Sequence, residues 1–284
     1  MYPKSYIITV VILATIFIFG LSFILWYKYR HEPLLCGLKN GMGICYLNST
    51  MQALFSSKQF NELLTKYSSS NNEMIKNLIE IRAMMRKGKT LNLLPRYKKM
   101  FDKVGDEFDF SQEGGYPLHA LEYIGIHMEK TIPNDFFLAQ ENYEKTKKIQ
   151  SDESLKQRFL RFYPLLRGNV DEMLKNGLER TIDKKSFEFP KLLIVCLWNV
   201  HSYTDTTCDK IVCNPEVTIF GKKYRLVALV ISVKGKRFGK KHAFAIGLRG
   251  NNWYVFNDEY IELIKNKKLV FNNKFCSIAF YDQA

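Results

Sequence analysis

Three residue types in this chain could together perform acyl transfer: a cysteine as nucleophile, a histidine as general base, and an amide to hold the imidazole. The cysteine stands in GLKNGMGICYLNSTMQALF, residues 37–55. Leu47, Met51, Leu54 and Phe55 recur at helical spacing, which predicts a helix starting at or just after Cys45. A thiol there lies near backbone N–H groups that lack intrahelical partners and near the positive end of the dipole, and both favour thiolate. Gly41 and Gly43 let the backbone turn sharply and approach closely. Asn40 is a candidate amide donor to a developing oxyanion. Taken alone, Cys45 reads equally well as a small buried hydrophobe.

The histidine and the amide come from the other end of the chain. Between HAFAIGL and WYVF stands Arg249-Gly250-Asn251-Asn252, a good hairpin turn. A loop of two or four residues centred there sets Leu248 opposite Trp253 and Phe244 opposite Asn257. His242 then shares a face with Asn257, diagonally across from it and within side-chain reach. In that register one ring nitrogen meets the Asn257 amide while the other addresses a thiol. A three-residue loop would put the two side chains on opposite faces. By itself His242, which follows Lys240 and Lys241, reads as a solvated histidine.

Bringing these residues together requires helices early in the chain and strands late. Residues from about Asn48 to Lys98 read as helical, and YPLHALEYIGIHMEK (Tyr116–Lys130) as a further helix. Residues Asn142 to Leu178 are again helix-like and charged. After Phe187 the texture changes to short β-rich runs separated by turn residues: LLIVCLWNV, YRLVALVISV, HAFAIGL, NWYVF and KFCSIAFY. This order predicts an α+β fold with an antiparallel sheet packed on one helical side.

Ahead of all this, Tyr6–Trp26 (YIITVVILATIFIFGLSFILW) carries no charge. A helix of that length, rising about 1.5 Å per residue, spans a hydrocarbon core of ~30 Å. Lys4 precedes it, and Trp26, Tyr27, Lys28, Tyr29 and Arg30 follow it, as suits a membrane interface. No small-residue cleavage site marks it as a signal peptide. The expected organisation is a tail over 1–5, a transmembrane helix over 6–27, a linker over 28–34 and a catalytic domain over 35–284. Lys28, Arg30 and Lys39 outweigh Lys4, which orients that domain toward the cytosol. A net charge of +14 admits nucleic acid, an anionic membrane surface or an acidic partner. The basic residues are spread along the chain with no nucleic-acid module, so no nucleic acid is expected. Six cysteines (Cys36, Cys45, Cys196, Cys208, Cys213, Cys276) are sparse in a chain of this length, which favours reduced thiols over disulfides.

Asn40–Asn48, NGMGICYLN, resembles the cysteine box of the ubiquitin-specific proteases (ubiquitin carboxyl-terminal hydrolases, peptidase C19), in which an Asn stands five residues before the nucleophile. KHAFAI followed by WYVFNDEYI resembles that family's histidine box, and SIAFY its closing strand. Ser111–Leu118, SQEGGYPL, is similar to the segment that opens a helix in the family. The resemblance implies a papain-like cysteine protease fold with a helical thumb, an antiparallel β palm and reduced or absent fingers. It also implies Cys45 as nucleophile, His242 as base, Asn257 as the residue orienting His242, Asn40 as oxyanion donor and Asp258 as an assisting group. The implied reaction is hydrolysis of the isopeptide bond after the C-terminal glycine of ubiquitin. Ubiquitin or ubiquitinated proteins would be the partners, and no cofactor would be needed. The anchor followed at once by the cysteine box looks like family members of the mitochondrial outer membrane; the endoplasmic reticulum is the other candidate.

The chain departs from the family at Lys241, where a Gly is usual, at Ala243, which displaces an aromatic, and at Gly114 and Gly115. These departures keep open a weakly active or inactive ubiquitin-binding relative, or a protease for another ubiquitin-like modifier. The family's pair of zinc-binding CxxC motifs is missing. Cys208 and Cys213, with His201 as a conceivable third ligand, fall short of a closed four-ligand site, so no metal is expected.

Overall fold

The computed structural model describes residues 12–23, 34–88, 90–101, 115–128, 131–132, 160–162, 168–176, 184, 189–197, 211–234, 241–273 and 276–284. The chain divides into two units, residues 1–34 and 35–284. In the first, residues 12–23 form a helix, α1, whose side chains are all exposed. The remainder of the expected span 6–27 lies outside the described residues. Among the described residues no helix is long and apolar enough to cross a membrane.

In the second unit the chain builds helices first. They are α2 (Cys45–Leu54), α3 (Lys58–Lys66), α4 (Glu73–Met85), α5 (Leu94–Phe101) and α6 (Pro117–Met128). The long stretch expected to be helical is thus cut into pieces, and side-chain caps explain two of the restarts. Ser57 accepts from the Phe60 N–H at the start of α3, and Asn72 from the Ile75 N–H at the start of α4. A sheet follows, made of β1 (Leu160–Phe162), β3 (Leu192–Leu197), β5 (Glu216–Ile219), β6 (Lys222–Lys234), β7 (Lys241–Arg249), β8 (Asn252–Asn257), β9 (Tyr260–Leu263) and β11 (Cys276–Gln283). Its order is β1-β3-β11-β6-β7-β8-β9, with β5 also on β6. The strands β2 (Gly168–Asn169), β4 (Ile211–Val212) and β10 (Asn272–Asn273) form a small separate sheet.

The expected α+β arrangement is present, with two corrections. The sheet is not wholly antiparallel: β1 runs parallel to β3, pairing Leu160 with Val195 and Phe162 with Leu197. The expected helix over Asn142–Leu178 is not continuous either. Its described part holds two short strands and only one short helix, Val170–Leu174, capped by Asn169. Those two strands take their backbone partners elsewhere, β1 from β3 and β2 from β4.

The core positions the site. All of α2 is buried, and it packs on β6, β7 and β8 on one side and on α6 on another. Along β7, Ala243, Ala245 and Gly247 alternate and are all buried. A Cβ on Gly247 would collide with Ser56, just beyond the end of α2. Small residues on that face therefore let helix and strand approach closely, which gives the displaced aromatic at Ala243 a packing reason.

Candidate active site

Cys45 is the first residue of α2. No side chain caps that helix and no acidic residue occupies its first turn, so its positive end is left to whatever negative charge develops at the sulfur. The turn into the helix passes through Met42 and Gly43 with φ of 59° and 69°. Gly43 has the left-handed conformation that favours glycine. The expectation for Gly41 does not hold, since its φ is not positive and an added Cβ would only graze Leu94.

His242 stands at the start of β7, nearly two hundred residues later in the chain. The β7–β8 hairpin has the two-residue loop Gly250-Asn251, with Leu248 opposite Trp253 and Arg249 opposite Asn252. This is one of the registers that puts His242 and Asn257 on the same face, and their side chains meet: His242 Nε2 lies 2.7 Å from Asn257 Oδ1. Cys45 is the ring's other close side-chain neighbour and acts most strongly on its proton. With Nε2 engaged by Asn257, Nδ1 is the nitrogen left for the thiol. Phe244 flanks the imidazole at 6.4 Å between ring centroids.

Electrostatics follow from these contacts. The interaction with Cys45 is the largest cause lifting His242 from 6.5 to about 9. Burial opposes it, while Asn257 and the charges of Cys45 and Asp258 assist. The imidazolium is thus the favoured form at neutral pH, which is the state that can protonate a leaving amine.

Asp258 follows Asn257 in the tight turn between β8 and β9, with φ of 52°. Its carboxylate lies 3.9 Å from His242 Nε2. Asn48 donates to it at 3.3 Å, and Asn40 bonds it as well. Burial raises the Asp258 carboxyl above its ordinary value, and the bonds from Asn48 and Asn40 and the charge of His242 hold it back. Its backbone carbonyl accepts from the Leu38 N–H at 2.8 Å. Cys45, His242, Asn257, Asp258 and Asn40 therefore gather in one place, with Asn40 exposed.

Sequence reasoning missed the residues that hold this cluster together. Asn48 is buried, donates to the Leu38 and Lys39 carbonyls at 3.3 Å, and accepts from the Tyr97 hydroxyl at 3.2 Å. Gln52 donates to the Cys36 carbonyl at 2.6 Å. Both lie on the helix face of Cys45, at i+3 and i+7, and that spacing was the available signal.

Several expectations fall outside the described residues: Ser111–Gly114, His201, Cys208 and the side chain of Lys241. At Gly115 a Cβ would sit 2.6 Å from the Tyr46 ring, so a larger residue does not fit. No group of three or more metal-ligating side chains occurs among the described residues, and the five described cysteines form no disulfide.

A family model described as ubiquitin carboxyl-terminal hydrolase matches residues 36–281. A search of curated proteins finds no match. Among solved structures, a chain of the SAGA Ubp8/Sgf11/Sus1/Sgf73 DUB module bound to monoubiquitin is similar, with a TM-score of 0.63 and 13% identity over 89% of this chain and 70% of that one. A further structure of the SAGA Ubp8/Sgf11/Sus1/Sgf73 DUB module gives 0.60 and 14%, over 89% and 69%. A yeast SAGA DUBm with a mutant Sgf73 gives 0.58 and 13%, over 89% and 69%.

Proposed function

Because the chain belongs to the ubiquitin carboxyl-terminal hydrolase family and is a cysteine-type ubiquitin hydrolase, we propose that it cleaves isopeptide bonds after the C-terminal glycine of ubiquitin through Cys45, His242 and Asn257. The observation that carries this reading is the chain of contacts from Cys45 to His242 to Asn257 at an uncapped helix N-terminus. The Cys45 thiolate attacks the glycine carbonyl carbon, and the carbonyl oxygen takes up the negative charge. Asn40 and the N–H groups at the start of α2 are the groups suited to receive that oxyanion. The His242 imidazolium gives its proton to the departing lysine amine, leaving a thioester. His242, now neutral, takes a proton from water, whose oxygen displaces the sulfur and frees the ubiquitin carboxylate. Asn257 holds the ring throughout, and Asp258 braces the loop that carries Asn40. Ubiquitin as partner draws support from the similar structure described as bound to monoubiquitin.

The anchor belongs to this reading too. Ile12, Phe17, Phe19 and Phe23 are exposed large apolar side chains on α1 within the uncharged run 6–26. Such a surface calls for an apolar surrounding, which residues 6–27 would find in the mitochondrial outer membrane or the endoplasmic reticulum, with the catalytic unit facing the cytosol. Retention in the membrane pellet after alkaline carbonate extraction tests this, and release into the supernatant sinks it. For the reaction, the full chain is expected to split lysine-linked diubiquitin and Cys45→Ala is not. Undiminished cleavage by Cys45→Ala would remove the sulfur from the mechanism.

A further inference from the structure

At the end of α2 remote from Cys45, a positive charge is buried that the chemistry does not use. Arg249, the last residue of β7, is only 4% exposed. Its guanidinium donates to the Gln52 backbone carbonyl at 2.9 Å and to the Gln52 side-chain oxygen at 3.0 Å. It also bonds Ser56 Oγ and the Leu248 carbonyl, and lies 4.6 Å over the Phe256 ring. These acceptors are neutral oxygens, gathered at the helix end where a cation is favoured. Taking a cation out of water is still costly, and burial lowers Arg249 below its ordinary value. An apolar side chain would fill the space without that cost.

What the guanidinium adds is direction. Cys45 and Gln52 are seven residues apart, close to two helical turns, so they share one face of α2. Gln52 reaches from that face to Arg249 and, through its amide nitrogen, to the Cys36 carbonyl at the head of the segment leading to Asn40. Residues 36–40, α2 and β7, which carry Asn40, Cys45 and His242, all meet at this one pair. We infer that Arg249 and Gln52 form a positioning pair: tying α2 to the far end of β7 and to Cys36, they set where Cys45 stands relative to His242 at the other ends of the same helix and strand. Neither side chain touches the reacting atoms. The inference rests on the reading of Cys45 and His242 as the reacting pair.

The test uses the full chain with Arg249→Met, Gln52→Leu and both together. Hydrolysis of a fluorogenic ubiquitin C-terminal amide gives kcat and KM, and NMR titration of the His242 imidazole needs no ubiquitin. Each single change is expected to lower kcat about tenfold or more, leave KM within about twofold, and bring the His242 midpoint down by about one pH unit or more. The double variant is expected to lose little beyond the worse single, since both act through one contact. Arg249→Lys, which keeps the charge without the fork, is expected to recover part of the midpoint. A folded Arg249→Met with an unmoved His242 midpoint overturns the inference, and so do additive losses in the double variant. If Arg249→Met fails to fold, Gln52→Leu and Ser56→Ala decide on the same two readouts. A wild type that cleaves no ubiquitin amide, yet whose His242 midpoint falls in the variants, keeps the positioning pair and sinks only the substrate reading.

Discussion

His242 holds its proton to higher pH than a free imidazole because its bound form faces Cys45, Asn257 and Asp258 together. A folded value of about 9 against an ordinary 6.5 means that folding tightens proton binding. The stability this group contributes is present in full below the unfolded value and is lost as pH rises through about 9. In the proposed mechanism turnover uses the same proton, so kcat/KM is expected to fall on an alkaline limb near pH 9. Asn257→Ala removes an acceptor that favours the imidazolium and should move that limb to lower pH. It should also cut kcat by about 10- to 100-fold with little change in ubiquitin affinity. A limb that stays in place, or equal losses in kcat and affinity, would remove the orienting role. The meeting of His242 with Asn257 was legible because strand periodicity and a strong turn signal fix which side chains can meet across a hairpin, whereas Asp258 came only from the family resemblance. Arg249 was not legible, because in sequence it looks like a polar residue beginning that same turn.

At the scale of elements, α2 has two working faces. Leu47, Met51 and Leu54 give the apolar face that predicted the helix, and all are buried. Cys45, Asn48 and Gln52 give a polar stripe that is also buried, continued by the half-buried Ser56 just past the end. A burial pattern read from hydrophobicity alone assigns that stripe to solvent, which is why its partners went unseen. The β8–β9 turn is the second such element. It carries Asn257 and Asp258 and is pressed onto the segment before α2, where a Cβ on Gly37 would collide with the Glu259 carbonyl oxygen. Backbone on backbone cannot yield as a side chain can. Gly37→Ala is therefore expected to cost about 1–3 kcal/mol of stability and to lower kcat by displacing the turn. Denaturant unfolding and steady-state kinetics check this, and a variant unchanged in both would show that the turn has slack.

For the whole catalytic unit, the last strand lies inside the sheet: β11 sits between β3 and β6 and closes the fold. Near its end, Asp282 accepts from the Ser57 hydroxyl and from the Lys58 backbone N–H at the start of α3. Burial lifts Asp282 to about 6 although these donors pull the other way. The unfolded chain then releases this proton at lower pH than the folded one, so wild type should lose stability relative to Asp282→Asn as pH rises from about 4 to about 6. Unfolding midpoints measured across that range read the difference, and a flat or rising difference contradicts the sign. Such closure over two hundred residues was announced in sequence only by the order of helices and strands and by the resemblance of SIAFY to a closing strand. The same long-range closure brings residues 45 and 242 together, and the central claim is that they react as a unit. Its most direct test is mass spectrometry of the full chain treated with ubiquitin bearing a C-terminal thiol-reactive group. One adduct is predicted, located on Cys45, absent from Cys45→Ala and formed at least about 100-fold more slowly by His242→Ala. An adduct on another cysteine, or a rate indifferent to His242, would contradict it.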